Sequence, residues 1–356
     1  MYCKKVFLFA SAISLFFISC SNDDSSTTEA PIGAYENGVL ILNQGNFGTD
    51  NSSVSFLSNN FSVFENNSFG IVNPTEVLGD TGQDIGFYND LAFIVLNNSQ
   101  KIEVVNRKTL AHVTSIETGL SNPRYIAFSQ GKGYITNWGD GGNPNDDYVA
   151  VINLQNYTVL RTIPVNEGPE RIIVNNNKLY VAHQGGYNFG NTVTVIDANS
   201  NTVSESINVG DVPNSLKIQN DILYVLCGGK PSWSGTETAG ILVKHDLTSN
   251  TSTSLDFATS SHPSNLYLSE GMVYYTDNSD VYSMSATAAA LPSTPLFSTF
   301  DQGVYGVYSF AVENGRIFVG DAVDYSSNGK VYIYSTNGIL EYEFTVGVIP
   351  AGFYFN

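Results

Sequence analysis

The residues of this chain best suited to chemistry are aromatic rings set among glycine and asparagine. Trp138, Tyr187, Phe189, Trp233 and Tyr325 all fall in such segments. A ring placed there has no core of its own to fill. It reads as a contact for a ligand with an apolar face, or as a lid folded back over a strand edge. Arg124, Glu170 and Arg171 follow prolines, His262 precedes one, and His183 closes an apolar run. Guanidinium and carboxylate groups in those positions would bind ligand amides or carboxylates, or pair with each other as a structural ion pair. His112 and His245 read as ordinary strand positions.

Other chemistries find little support. The segment Trp138-Gly139-Asp140-Gly141-Gly142-Asn143-Pro144-Asn145-Asp146-Asp147 holds oxygen ligands at close spacing, as a calcium loop would. It lacks a terminal Glu, and Asp and Asn in glycine-rich turns bond their own backbone, so no metal site is assigned. There is no nucleophile elbow, metalloprotease helix, phosphate loop or cysteine pair. With four His and no repeated inward acid, the chain reads as a binding protein without a cofactor rather than an enzyme. A lactonase or lyase built around a central channel is the lesser alternative.

Something must hold those residues in place, and composition narrows what it is. Fifteen Lys+Arg against 33 Asp+Glu give a net charge of −18, which excludes an electrostatic nucleic-acid binder. Hydrophobic residues at 42% and aromatics at 12% exclude disorder. Charged residues at 13% fall well below the about 25% of an average globular protein. Asn, Ser, Thr and Gly supply the wet faces instead, and those residues favour turns and strand edges.

A repeat organises the chain. Apolar strands recur at Val39–Asn43, Leu91–Val95, Gly133–Asn137, Leu179–His183, Leu223–Leu226, Val273–Thr276 and Ile317–Gly320. Each follows a short turn such as Tyr88-Asn89-Asp90, Asn175-Asn176-Asn177 or Glu313-Asn314-Gly315, in which Asn and Gly accept positive φ. Ahead of most turns comes another strand opened by a proline: Pro123, Pro169, Pro213, Pro263 and Pro350. Spacings of roughly 41 to 52 residues suit four-stranded blades. Seven units make this an all-β, seven-bladed β-propeller, and the C-terminal strand Gly352–Phe355 is expected to complete the N-terminal blade.

In such a blade the A–B and C–D turns lie on one face, and the B–C loops and D–A crossings lie on the other. The long segments 44–51, 138–147, 184–191, 228–240 and 321–329 are all B–C loops, so they share one face with the five aromatic residues. Arg124, Glu170, Arg171 and His183 are expected to rim the central channel on that face.

The N-terminus reads as an address. A basic start with Lys4 and Lys5 precedes an apolar run from Val6 to Ile18, too short to span a bilayer as a mature helix. Phe17-Ile18-Ser19-Cys20 resembles a bacterial lipobox, with Phe17 where Leu is usual. Residues 1–19 are thus expected to be a lipoprotein signal peptide, Cys20 the lipidated residue, 20–30 a polar tether and 31–356 the propeller. Cleavage gives a mature charge of 13 − 33 = −20. So acidic a protein reaches an anionic membrane through its lipid alone. Asp23 and Asp24 resemble the acidic signal that exports lipoproteins to the cell exterior. Only Cys227 then remains, as a small hydrophobe in the core.

Three segments carry a family resemblance: Ile41-Leu42-Asn43-Gln44-Gly45-Asn46-Phe47-Gly48, Leu78-Gly79-Asp80-Thr81-Gly82-Gln83, and Val95 through Val105 with its Asn97-Asn98-Ser99-Gln100 turn. Together they resemble surface lipoproteins of Bacteroidota with YncE-like propellers. The resemblance implies a seven-bladed propeller on the outer membrane, partnered with a TonB-dependent transporter. The members most similar in appearance capture cobalamin, so it further implies a corrinoid ligand. A glycan- or protein-binding surface propeller is the alternative.

Overall fold

The computed structural model describes residues 33–356. The expected signal peptide, the lipidated Cys20 and the tether lie outside the described residues. Seven four-stranded antiparallel sheets are arranged as blades, numbered here from the N-terminus. Their innermost strands are Pro350–Phe355 (blade 1), Gly82–Tyr88, Pro123–Ser129, Pro169–Asn175, Pro213–Gln219, Ser264–Ser269 and Ser309–Glu313 (blade 7). Each touches the next, and Pro350–Phe355 touches both Gly82–Tyr88 and Ser309–Glu313, so the ring is closed.

Local rules explain the blades. The second strand of each blade is apolar on both faces because a blade lies between two others; Leu91–Leu96 and Lys132–Asn137 are buried almost throughout. The outermost strands, such as Thr158–Pro164 and Thr202–Asn208, are mostly exposed, with Thr158, Arg161 and Thr162 in the first and Thr202, Ser204 and Ser206 in the second facing water. The A–B turns take positive φ at paired positions, among them Asn176 and Asn177, Asn220 and Asp221, and Asn314 and Gly315. That geometry matches the twist of the strands it joins. Helix is confined to one five-residue turn of α-helix, Ser68–Val72, and two 3₁₀ turns.

The core is divided between the blades. Seven apolar clusters each fill one blade interface, for example Phe93, Ile102, Ile126 and Ile135 between blades 2 and 3. Cys227 is fully buried in the cluster between blades 4 and 5, and burial pushes its thiol up to about 12. Closure of blade 1 runs as the sequence implied. Residues Phe353, Tyr354 and Phe355 pair with Ile41, Leu40 and Val39. The Asn356 side chain then donates to the carbonyls of Tyr35 (2.7 Å) and Arg107 (2.6 Å).

No helix among the described residues is long and apolar enough to cross a membrane.

Candidate functional site

The long B–C loops 138–147, 184–191, 228–240, 322–327 and 44–52 project from blades 3, 4, 5, 7 and 1 on one face of the ring. Blades 2 and 6 have only short turns there. The aromatic residues of these loops make contacts in pairs. Trp138 meets Tyr187 edge to face with ring centres 6.2 Å apart, and Phe189 meets Trp233 at 5.7 Å. Tyr325 meets Tyr308 at 5.9 Å. The first two pairs join loops of adjacent blades. Tyr187 is 77% exposed, Trp233 79% and Tyr325 60%, whereas Trp138 and Phe189 are half-buried.

Trp138 does both jobs that its position allows. Its indole covers the Arg124 guanidinium at 4.3 Å, and its Nε1 donates to the Pro169 carbonyl at 3.2 Å, so one face is a lid on the blade edge. Arg124 in turn donates through Nε and Nη2 to both carboxylate oxygens of Glu170, each at 2.7 Å. This pair is buried and spans blades 3 and 4, which makes it the structural alternative weighed above.

The other titratable residues separate. His183 does not reach the rim: its ring lies inside blade 4, where Nε2 meets Thr194 Oγ1 at 2.8 Å and Nδ1 meets the Glu167 carbonyl at 3.3 Å. Burial lowers its pKa to about 4. The last residue of a strand faces whichever side its pleat dictates, and here that side is the sheet packing. His262 is half-buried and bridges the Gly228 carbonyl (2.8 Å) and Glu237 (3.3 Å), bracing the 228–240 loop. In the 138–147 loop the carboxylates turn onto backbone: Asp140 accepts from Gly142 N–H, Asp146 from Asp140 N–H, and Asp147 from Gly168 N–H. Burial pushes Asp147 up to about 6.

Arg171 lines both the channel mouth and the channel below it. A cavity of about 310 Å³ runs down the ring axis, walled by residues of the innermost strands, including Asp84, Tyr125, Arg171, Lys217, Tyr267 and Tyr354. Above it a mouth of about 150 Å³ is lined by Tyr125, Glu170, Arg171, Gln184, Asn214, Ser215, Ser264 and Asn265. Most of these are neutral hydrogen-bonding groups.

Sequence reasoning missed two sets of residues. Phe47 (77% exposed) lies in the blade 1 loop; Phe300 and Tyr305 (72% exposed) lie in the crossing from blade 6 to blade 7 on the same face. Phe47 stands in a Gly/Asn segment like the others, so the same rule finds it. The channel residues Asp84, Tyr125, Ser215 and Asn265, like Arg171, which the sequence did single out, each precede an apolar residue: Ile85, Ile126, Leu216 and Leu266, with Ile172 after Arg171. Aligning the repeats on those apolar residues brings the column into view.

Fold and rim together define a seven-bladed propeller carrying aromatic loops above a polar channel. Residues 37–313 match the family described as "Domain of unknown function (DUF5074)", and the chain belongs to that family. No curated protein matches it. Similar solved structures include a quinonprotein alcohol dehydrogenase-like protein from Bacteroides thetaiotaomicron (13% identity, 90% of this chain and 78% of that one, TM-score 0.67). Hydrazine synthase of Kuenenia stuttgartiensis is similar too (16% identity, 74% and 85%, TM-score 0.60). So is BamB from Moraxella catarrhalis (14% identity, 90% and 87%, TM-score 0.55). At these identities the likeness is one of fold.

Proposed function

We propose that this protein is a surface lipoprotein, anchored through Cys20 on the exterior of the outer membrane, that captures a large, flat, partly apolar ligand on its loop-rich face. A corrinoid is the favoured ligand, delivered to a TonB-dependent outer-membrane transporter. The observation that carries this reading is the set of exposed rings on one face: Phe47, Tyr187, Trp233, Tyr305 and Tyr325, drawn from four blades and one crossing. Rings exposed on a rigid scaffold offer contact area at small entropic cost. A corrinoid presents an apolar ring edge and a fringe of neutral amides. Gln184, Asn214, Ser215, Ser264 and Asn265 at the channel mouth are neutral partners for such groups. The acidic net charge disfavours a polyanionic ligand and leaves a neutral one unopposed.

Calorimetric titration of the purified protein with cyanocobalamin tests the reading. Binding at micromolar concentration or tighter is expected, weakened about thirtyfold by Trp233→Ala or Tyr187→Ala. Absence of binding at micromolar concentration overturns the corrinoid. Tight binding indifferent to every aromatic substitution overturns the face.

A further inference from the structure

Two cations stand in the channel without partners. Arg171 and Lys217 come from the innermost strands of blades 4 and 5, and both line the axial cavity. Each rests on a ring from a neighbouring blade: the Arg171 guanidinium lies 4.1 Å from the Tyr125 ring centre, and Lys217 Nζ lies 4.2 Å from that of Tyr267. Among the described residues neither group makes an ion pair. Both are half-buried; Lys217 faces the cavity, and Arg171 faces the cavity and the mouth above it.

The acids nearby are otherwise engaged. Asp84 Oδ1 accepts from the Tyr354 hydroxyl and Oδ2 from the Ile126 N–H, both at 3.0 Å. Burial pushes its pKa up against the pull of Arg171, and it acts on Arg171 and Lys217 through space without bonding either. Glu170 is committed to Arg124 on both oxygens. Glu313, at the end of its strand in blade 7, acts on Lys217 only at a distance. In a protein with 33 acidic residues, a cavity holding two unpaired cations is a departure from the bulk of its surface. Such groups are costly to keep from water unless something neutralises them.

We propose that the channel is a binding site for a small organic carboxylate, held between Arg171 and Lys217. The guanidinium fork matches a carboxylate in two parallel bonds, and the ammonium adds a point charge from the adjacent strand. Ser215 and Asn265, on the same wall, supply a hydroxyl and an amide. Tyr125, Tyr267, Phe310, Phe353 and Tyr354 give the site aromatic walls, which suit a carbon skeleton and would be left unused by inorganic phosphate. A volume of about 310 Å³ accommodates on the order of ten non-hydrogen atoms at roughly 30 Å³ each. The site lies below the aromatic loops and meets the mouth at Arg171, Ser215 and Asn265, but Lys217 and the aromatic walls Tyr267, Phe310, Phe353 and Tyr354 belong to the channel alone, so Lys217→Gln tests it apart from the loop-rich face. Burial, then the charge of Arg171, lowers Lys217 to about 8; an anion seated between them raises it again and draws in a proton near that pH.

The test is titration of the purified protein with citrate, succinate, benzoate and inorganic phosphate at matched ionic strength, sodium chloride being the reference. At least one carboxylate is expected to bind with a Kd below about 1 mM. Arg171→Gln and Lys217→Gln should each weaken it at least about tenfold, with Trp233→Ala unchanged. At about pH 8 the binding heat should also differ between Tris and HEPES, as proton uptake requires. Should Arg171→Gln fail to fold, Lys217→Gln and the buffer comparison carry the test. No carboxylate exceeding chloride, binding by phosphate alone, or binding indifferent to Lys217→Gln overturns the proposal.

Discussion

Arg124 and Glu170 meet through two parallel hydrogen bonds of 2.7 Å that tie the innermost strand of blade 3 to that of blade 4. Thr136 Oγ1 adds a bond to the Glu170 carbonyl at 2.9 Å, and the Trp138 ring shields the pair from water. A carboxylate only 5% exposed leaves its partner stranded when removed. Glu170→Ala should therefore cost about 3 kcal/mol in urea denaturation, and Arg124→Met with Glu170→Leu should recover most of it. A loss below about 1 kcal/mol for Glu170→Ala would show that water already reaches the pair.

Tyr187 and Trp233 make the opposite case. Their exposure above three-quarters means that truncation removes little buried area. Tyr187→Ala and Trp233→Ala should shift stability by no more than about 0.5 kcal/mol while weakening the ligand of the loop-rich face about thirtyfold. A stability loss above about 1 kcal/mol with affinity intact would make them lids on the blade edges.

The sequence made blades legible because each carries its own local signals: Asn or Gly in the turn, an apolar run behind it and, in five of the seven, a proline at or just before the first strand. Val39 and Phe355, more than 300 residues apart, pair only because those signals count to seven and leave one strand over. His183 was not legible. Its partner Thr194 lies in the next strand, and which side of the pleat the ring takes depends on packing rather than spacing. The channel was legible only in part. Arg171 was flagged, but Asp84, Tyr125, Lys217 and Tyr354 differ in type from blade to blade, so a repeat of positions carries no repeat of chemistry. They become neighbours only when the ring closes.

That closure is testable at the last strand. Phe353 and Phe355 pack on Phe318 with ring centres 5.7 and 5.2 Å away, and Tyr354 reaches Asp84 across the channel wall. Deleting residues 350–356 removes Phe353 and Phe355, uncovers Phe318 and leaves Gly38–Asn43 as an open edge. A loss of about 5 kcal/mol or more is expected, comparable with the whole stability of many domains. Tyr354→Phe, which removes only the hydroxyl, should cost about 1–2 kcal/mol. A truncated protein as stable as the full chain in thermal melts would refute closure by this strand.

His183 should give the protein a measurable acid sensitivity. Burial lowers its pKa from 6.5 to about 4 in the fold, so between those values the unfolded chain holds a proton that the native state lacks. Stability then rises with pH across that window and is lost as pH falls from 6.5 toward 4. The shift corresponds to roughly 3 kcal/mol at most. Asp147 works against it: with its acid pushed up to about 6, the native state holds the extra proton between 3.8 and 6, which lowers stability as pH rises there. Asp84 and Asp321, also raised by burial, oppose His183 too, while backbone N–H donors lower Asp197, Asp246 and Asp324, so the wild-type slope sums several terms and substitution isolates that of His183. His183→Gln keeps a donor and an acceptor for Glu167 and Thr194 but cannot titrate. Urea midpoints at about pH 7 and about pH 4.5 should show the variant losing about 2 kcal/mol less than wild type on acidification. Equal losses in the two proteins would mean that His183 is protonated in the native state, with the ring open to water rather than sealed inside blade 4.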